Sequence, residues 1–260
     1  MRLDQALVEA HLFESRSKAK QAILDGLVFQ QDRCLKKPSE QIEDPASLSI
    51  HGTPMPYVSR GGLKLEKALD TFQISLKNKI VLDIGSSTGG FTDCALQRGA
   101  QKVIAVDVGQ EQLALSLRKN PKIILYEKTD FRSIDKTKIS SCEIAVSDVS
   151  FISITKMIPK LLELPNLTDL ICLIKPQFEC GKEIADKYKG IIKDKKVHEE
   201  LLNNIIDTFD KNGFCLCNLT FSPITGNSGN IEYLAHFNKK MPAKHIAIPT
   251  LITSAFSFFK

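Results

Sequence analysis

No stretch of this 260-residue chain approaches the roughly 18–20 unbroken apolar residues that a membrane-spanning helix requires. Its most apolar segment, residues 246–259, is interrupted by Pro249 and by serines and threonines. The opening MRLDQALVEAHL sets acids where the apolar core of a signal peptide would lie, so a soluble, cytoplasmic protein with no membrane partner is expected. The cysteines, at 34, 94, 142, 172, 180, 215 and 217, form no Cys-x-x-Cys pair. Neither a zinc knuckle nor a disulfide framework is suggested, and they read as small core residues. Cys215 and Cys217, alternating on one strand-like run, are expected to be buried together. His11, His51, His198, His236 and His245 lack paired ligand spacing, so no metal is expected. Glycine and proline are too sparse for a fibrous protein, and there is neither an internal repeat nor a low-complexity segment.

What the chain does contain is the composition of a globular protein, 43% hydrophobic and 25% charged, with length for one large domain or a small and a medium one. The net charge of +5 is modest, but it is unevenly spread. Residues 15–37 hold six Lys and Arg against two Asp, and residues 239–260 hold four Lys and no acid. Base clustered on a near-neutral background is the footprint of a phosphate-bearing partner, although a solvated face explains charge alone equally well.

Residues 1–56 read as a small α+β unit. Ser15 to Gly26 has a helix start, a helical body and a glycine stop, with Ala19, Ala22 and Ile23 on one face and Arg16 and Lys20 on another. Short strand-like pieces follow at 27–29, 34–35 and 47–50. The Pro-punctuated joint at 51–56 marks the boundary; residues 57–63 are expected to link to a domain over 64–240, and 241–260 to form a tail. In the larger domain, apolar strands expected at 80–84, 103–107, 123–126, 144–148 and 170–175 alternate with helices at 91–98, 110–118 and 150–162. A longer helix at 197–212 precedes strands at 214–221 and 231–237. This is the pattern of an α/β fold, a parallel sheet covered on both faces, with an antiparallel hairpin at one edge.

The run VLDIGSSTGGFT (81–92) is a strand, a glycine-rich bend and a helix, which brings a ligand against bare backbone at a helix N-terminus. A dinucleotide fingerprint needs glycine where Ser87 stands, and Ser87 would crowd a pyrophosphate. Asp83 adds a carboxylate suited to a cationic ligand, and Asp107, closing the next strand, suits a ribose diol. These marks favour S-adenosylmethionine, with its ammonium and sulfonium, over NAD. Asp148 and Lys175 end two further strands and should face the same crevice, because ligands of open α/β sheets bind outside the carboxyl ends of the strands. Tyr57 and Phe151 are candidates for stacking on a base, with core packing the more economical reading of each.

The string from SRGGLKL (59–65) through VLDIGSSTGGFTDCALQRGA, VIAVDVG, SDVSFIS, LIKPQFE and GNIEYL resembles the TlyA family, ribosomal RNA 2′-O-methyltransferases historically labelled haemolysins, with an FtsJ-like catalytic domain. RLDQALV, SRSKAKQAI and the GLV strand resemble the RNA-binding domain first described in small-subunit ribosomal protein four. The resemblance, over residues 1–238, implies a seven-stranded, Rossmann-like methyltransferase domain using S-adenosylmethionine, preceded by that RNA-binding domain. It implies a catalytic tetrad at Lys64, Asp148, Lys175 and Glu232, and donor binding by Asp83, Gly85, Ser87, Gly89, Asp107 and Asp130. It implies ribosomal RNA in ribosomal subunits as partner, with phosphate contacts from Arg16, Lys18, Lys20, Lys36, Lys37 and Arg60. The run Lys189 to Asp194 resembles the segment preceding the family's long helix, with Lys193 where arginine, and its bidentate fork, is common. Lys175 is the candidate for activating the ribose hydroxyl and Lys64 for stabilising the developing oxyanion. The rival readings are a membrane-active haemolysin, a non-catalytic assembly factor and an NAD-dependent oxidoreductase.

Overall fold

The computed structural model describes residues 1–226 and 228–260, and the chain divides into two compact units, Met1–Ser59 and Arg60–Lys260. In the first, helices α1 (Leu3–Glu9) and α2 (Arg16–Leu24) accompany a three-stranded antiparallel sheet of order β2-β1-β3, with β1 at Val28–Gln30, β2 at Arg33–Cys34 and β3 at Leu48–Ile50. Ser15 caps α2 by accepting the Lys18 amide on its hydroxyl at 3.4 Å. Ala19, Ala22 and Ile23 then face a core completed by Leu3, Leu7, Val28 and Leu35, while Arg16 and Lys20 face outward. Helix α1 was not expected from the sequence. It rests on Leu3, Ala6 and Leu7, a single apolar stripe on only seven residues.

The second unit is built on a seven-stranded sheet of order β6-β5-β4-β7-β8-β10-β9. Its strands are β4 (Ile80–Ile84), β5 (Lys102–Val106), β6 (Ile123–Tyr126), β7 (Ile144–Ser147), β8 (Asp169–Ile174), β9 (Cys215–Phe221) and β10 (Tyr233–Asn238). The first five are parallel; β10 lies antiparallel between β8 and β9, so the expected hairpin places β9 at the edge. Because β10 runs backwards, its first residues arrive beside the carboxyl end of β8, with Tyr233 opposite Ile174. Helices α3 (Gly61–Phe72), α4 (Gly90–Gln97), α5 (Leu115–Arg118), α6 (Ile158–Leu162), α7 (Pro176–Glu179), α8 (Lys182–Lys187), α9 (Lys195–Lys211) and α10 (Ile248–Phe258) complete the unit.

The structure departs from the sequence expectations at several places, each with a local cause. Helix α3 begins at Gly61, inside the segment expected to be a linker, and buries Leu65, Ala68, Leu69 and Phe72 along one stripe. The helix expected over 110–118 is confined to α5. The Asp107 carboxylate accepts the Gly109 amide and Glu111 adopts φ +56°, which turns residues 108–114 into a loop. Likewise the helix expected over 150–162 starts only with a 3-10 turn at Ile154–Met157, because Phe151 takes φ +64°. Cys217 is buried but Cys215 only half so. The register with β10 shifts between His236 and Phe237, opposite Cys217, and at this bulge Leu216 and Cys217 are consecutive buried residues, of which Leu216 joins the main core.

The tail forms α10, whose Ile248, Ile252 and Ala255 enter the main core. Truncating Ile252, 2% exposed, is expected to cost about 2–4 kcal/mol of stability, read from the midpoint shift in chemical denaturation. A loosely attached tail would give a shift near zero.

Candidate active site

The carboxyl edge of the parallel sheet collects the groups that carry chemistry. Asp148 follows β7, Lys175 follows β8 and is directed by Pro176 at the first position of α7, Glu232 precedes β10, and Lys64 projects from the buried stripe of α3. Four separate elements thus bring the four residues into one cluster. Lys64 Nζ donates to Glu232 Oε2 at 2.6 Å and lies 3.7 Å from Asp148 Oδ2. Lys175 Nζ is 2.6 Å from Asp148 Oδ1, an ion pair outside hydrogen-bonding geometry, and donates to Ser150 Oγ at 2.8 Å. Asp148 therefore sits between two ammonium groups, and both lysines are buried, each 8% exposed. Ser150 was not singled out from the sequence, although it lies two residues after Asp148 in the same motif.

The glycine-rich bend adjoins this cluster. Gly85 has φ +81°, and a Cβ there would stand 3.3 Å from the Asp148 carbonyl, so both the turn and the close approach require glycine. Gly89 has φ +95°, but a Cβ on it would strike Leu117 at 2.4 Å and Leu113 at 2.7 Å. Its bare backbone thus faces the 108–117 segment. The Ser87 amide and the Gly109 amide each donate to one oxygen of Asp107 at 2.7 Å, leaving each oxygen a further lone pair at the half-exposed carboxylate. Asp130 is held by Arg132, whose guanidinium keeps its carboxyl below the usual range.

Asp83 is fully buried. Thr92, one turn into α4, donates its hydroxyl to Oδ2 at 2.6 Å, while Oδ1 has no protein partner. Burial is the main cause that pushes this carboxyl up to about 7, opposed by the Thr92 hydrogen bond and reinforced by the charge of Asp148. An orphaned buried carboxylate oxygen beside a glycine-rich bend suits a ligand carrying an ammonium group, so the residues present fit S-adenosylmethionine.

Around the bend, residues that sequence reasoning missed hold the loops in place. Arg118 pairs bidentately with Glu127 and donates from Nε to the Leu113 carbonyl at 3.0 Å, bracing the 108–114 loop. Glu179 accepts the Ile154 amide at 2.8 Å and thereby anchors the loop carrying Phe151; burial raises its carboxyl pKa. The core reading of Phe151 is overturned: the side chain is 90% exposed, in a left-handed conformation that bulky residues avoid, 4.9 Å from the Phe178 ring at 46°. Tyr57, by contrast, is buried.

Among the residues expected to meet RNA, Arg16 is tied to Asp4 at 2.8 Å and Lys18 to Glu14 at 2.6 Å. Lys20, Lys36 and Lys37 are exposed with no acidic partner among the described residues. Arg60 is exposed too and immediately precedes α3, so it belongs to the second unit. No cluster of metal-ligating side chains occurs among the described residues.

Comparison with known proteins accords with this geometry. Residues 57–239 match the FtsJ-like methyltransferase family and residues 1–44 the S4 domain. A candidate rRNA methyltransferase, YqxC of Bacillus subtilis, is 50% identical over 91% of this chain and 85% of its own length. The 16S/23S rRNA (cytidine-2′-O)-methyltransferase TlyA of Mycobacterium tuberculosis is 35% identical over 89% of this chain and 87% of its own. A solved structure of a candidate hemolysin from Streptococcus thermophilus is 38% identical, covering 100% of this chain and 96% of that one, with a TM-score of 0.77.

The buried Asp83 carboxyl carries a pH signature. Its folded pKa of about 7 lies above the usual 3.8, so the folded state holds the proton longer and Asp83 lowers stability as pH rises between those values. In the absence of donor, Asp83→Asn is expected to remove a loss on the order of 4 kcal/mol between pH 4 and pH 8 relative to wild type. Denaturation curves at the two pH values check this; parallel pH dependence in both proteins would contradict it.

Proposed function

Because the chain belongs to the FtsJ-like methyltransferase family and carries an S4 domain, we propose that it transfers a methyl group from S-adenosylmethionine to the 2′-hydroxyl of a cytidine in ribosomal RNA. The observation that carries this reading is the meeting of Lys64, Asp148, Lys175 and Glu232 at the sheet edge where Asp83 offers an unpartnered oxygen. The cytidine, the ribosomal RNA and the 2′ position rest on the Mycobacterium relative. That relative's name spans 16S and 23S, and the large subunit, with the small subunit as a further substrate, is the target proposed here. A cytoplasmic location follows from that substrate.

Asp83, Gly85, Ser87, Gly89, Asp107 and Asp130 would hold the donor: Asp83 its ammonium, Asp107 its ribose, and the glycine-rich bend its backbone-facing edge. Gly89 acts by letting Leu113 and Leu117 close against the bend. When bound, the donor supplies an electrophilic methyl group on a sulfonium. The chain must then orient the ribose oxygen in line with that methyl and dispose of the hydroxyl proton. Lys175 Nζ, once its ammonium has released a proton to solvent, takes the hydroxyl proton as the new carbon–oxygen bond forms, and Asp148 keeps that nitrogen in place at 2.6 Å. Lys64, fixed by Glu232, stabilises charge growing on the oxygen. The exposed ring of Phe151 offers a face on which a base can stack. In the small unit, Lys20, Lys36 and Lys37 supply phosphate contacts that hold RNA without reading its sequence.

The haemolysin reading has little support in the fold: among the described residues no helix is long and apolar enough to cross a membrane. Incubation with labelled donor and unmethylated ribosomal subunits, followed by mapping of the modified nucleotide, tests the proposal; lysis of erythrocyte membranes without labelling of RNA would overturn it. Lys175→Met is expected to lower kcat at saturating donor by at least ~100-fold while preserving the fold by circular dichroism. Full methylation by that variant would remove Lys175 from the proton transfer. Arg118→Ala, which frees the 108–114 loop, is expected to weaken S-adenosylhomocysteine binding about tenfold by calorimetry with a much smaller effect on kcat.

A further inference from the structure

The segment between α8 and α9 is rich in lysine, and its backbone is hydrogen-bonded to Asn230, two residues before Glu232. Residues 187–196 contain five lysines against one acid, Asp194. That acid is already engaged, accepting the Tyr188 hydroxyl and the Lys196 amide, each at 2.9 Å. The backbone between them is pinned by buried side chains. Asn230, 1% exposed, accepts the Ile192 amide on Oδ1 at 2.9 Å and donates from Nδ2 to the Gly190 carbonyl at 2.7 Å. His198, fully buried, lies 3.0 Å through Nε2 from the Ile192 carbonyl, which can only accept, so Nε2 carries the proton. Its Nδ1 then accepts from the Tyr233 hydroxyl at 2.7 Å, and burial holds the imidazole neutral by lowering its pKa. Asn230 and Tyr233 flank the residue pair that ends in Glu232, and a Cβ on Gly226 would stand 2.6 Å from the Glu232 carboxylate.

The lysines on this strap differ in what they touch. Lys187 lies over the Tyr188 ring at 5.4 Å and Lys195 over the Phe256 ring at 5.6 Å. Lys189 and Lys193 are exposed and meet no acid or ring among the described residues. Lys189 also occupies φ +50°, next to Gly190 at φ +77°, a conformation held by the Asn230 contacts. Exposed lysines on mobile loops mean little, since a flexible ammonium loses entropy on binding. Here the backbone is ordered in advance, and two free ammonium groups stand on a support shared with the catalytic acid.

We propose that Lys189 and Lys193 form a phosphate-contacting surface of the catalytic unit, engaging the RNA backbone that flanks the nucleotide being methylated. The inference rests on the substrate class proposed above and adds a site to it. Lysine suits the task because a point charge neutralises phosphate whatever the base sequence. The contacts position the strand; the neutral His198 and Asn230 serve only to keep the strap in place.

The test uses the full chain and purified unmethylated ribosomal subunits. Binding is measured across a potassium chloride series for wild type and for K189Q/K193Q, together with KM and kcat for methyl transfer. The double variant is expected to flatten the slope of log affinity against log salt by about 1.5, since each phosphate contact contributes roughly 0.7–0.9. KM for subunits should rise about tenfold, with the loss in KM rather than in kcat and S-adenosylhomocysteine affinity unchanged. Each single variant should carry about half the slope change, and K195Q, whose ammonium already rests on Phe256, far less. Unchanged slope and KM in a wild-type-like background would overturn the strap assignment alone. Absence of any salt-dependent subunit binding by wild type would overturn the RNA reading and the strap together.

Discussion

The geometry of the catalytic edge depends on one arrangement, two ammonium groups and two carboxylates interleaved in a nearly dry cluster. Lys64 and Glu232 are 168 residues apart in sequence and 2.6 Å apart in space. Burying any one of these charges alone would be expensive, and a pair removed from water is stable only when its geometry satisfies both partners. Here each lysine faces a carboxylate and Asp148 faces both lysines, so the cluster is neutral as a whole and intolerant of losing a member. That constraint links α3, β7, β8 and β10, because a shift of any of them would strand a buried charge.

The direction of β10 is what makes the cluster possible. A further parallel strand would bring its carboxyl end to this edge; the reversed strand brings its amino end, and with it Glu232 and Asn230. The same reversal places Tyr233 where its hydroxyl meets His198. The acid that fixes Lys64 and the amide that fixes the lysine-bearing strap therefore lie within three residues of one another, so the substrate side and the catalytic side of the site share one support.

Much of this was legible in the sequence for a physical reason. Parallel strands buried on both faces read as continuous apolar runs, so β4 to β8 emerged within a residue or two of their ends, and polar residues just past those ends stood out as Asp148 and Lys175. The helical stripe of α2 was equally plain. What sequence could not show was contact between distant segments. The Arg118–Glu127 brace, the Thr92 hydrogen bond to Asp83 and the anchoring of the Phe151 loop by Glu179 follow from tertiary packing rather than spacing. Of the two readings of Phe151, core packing failed and the exposed ring suits stacking: an aromatic is ordinarily buried, and nothing in SDVSFIS announces the left-handed backbone that turns it outward. The short helix α5 was overextended because a helical propensity over 110–118 loses to the Asp107 carboxylate, which captures the Gly109 amide. The apolar tail carries a helical period, with Ile248, Leu251, Ile252, Ala255, Phe256 and Phe259 three or four residues apart, but its Pro249 and its serines and threonines drew attention away from it; it covers α9 and β9 as α10.

The glycine-rich bend and the four-residue cluster are expected to act as a single site. A crystal structure with S-adenosylhomocysteine tests it most directly. The ligand's ammonium is expected on Asp83 Oδ1, its ribose on Asp107, and its sulfur directed at the opening beside Asp148 and Lys175, leaving room for an oxygen about 3–3.5 Å from a transferable methyl. A ligand seated elsewhere, or one on the bend with its sulfur turned away from Lys175, would contradict it.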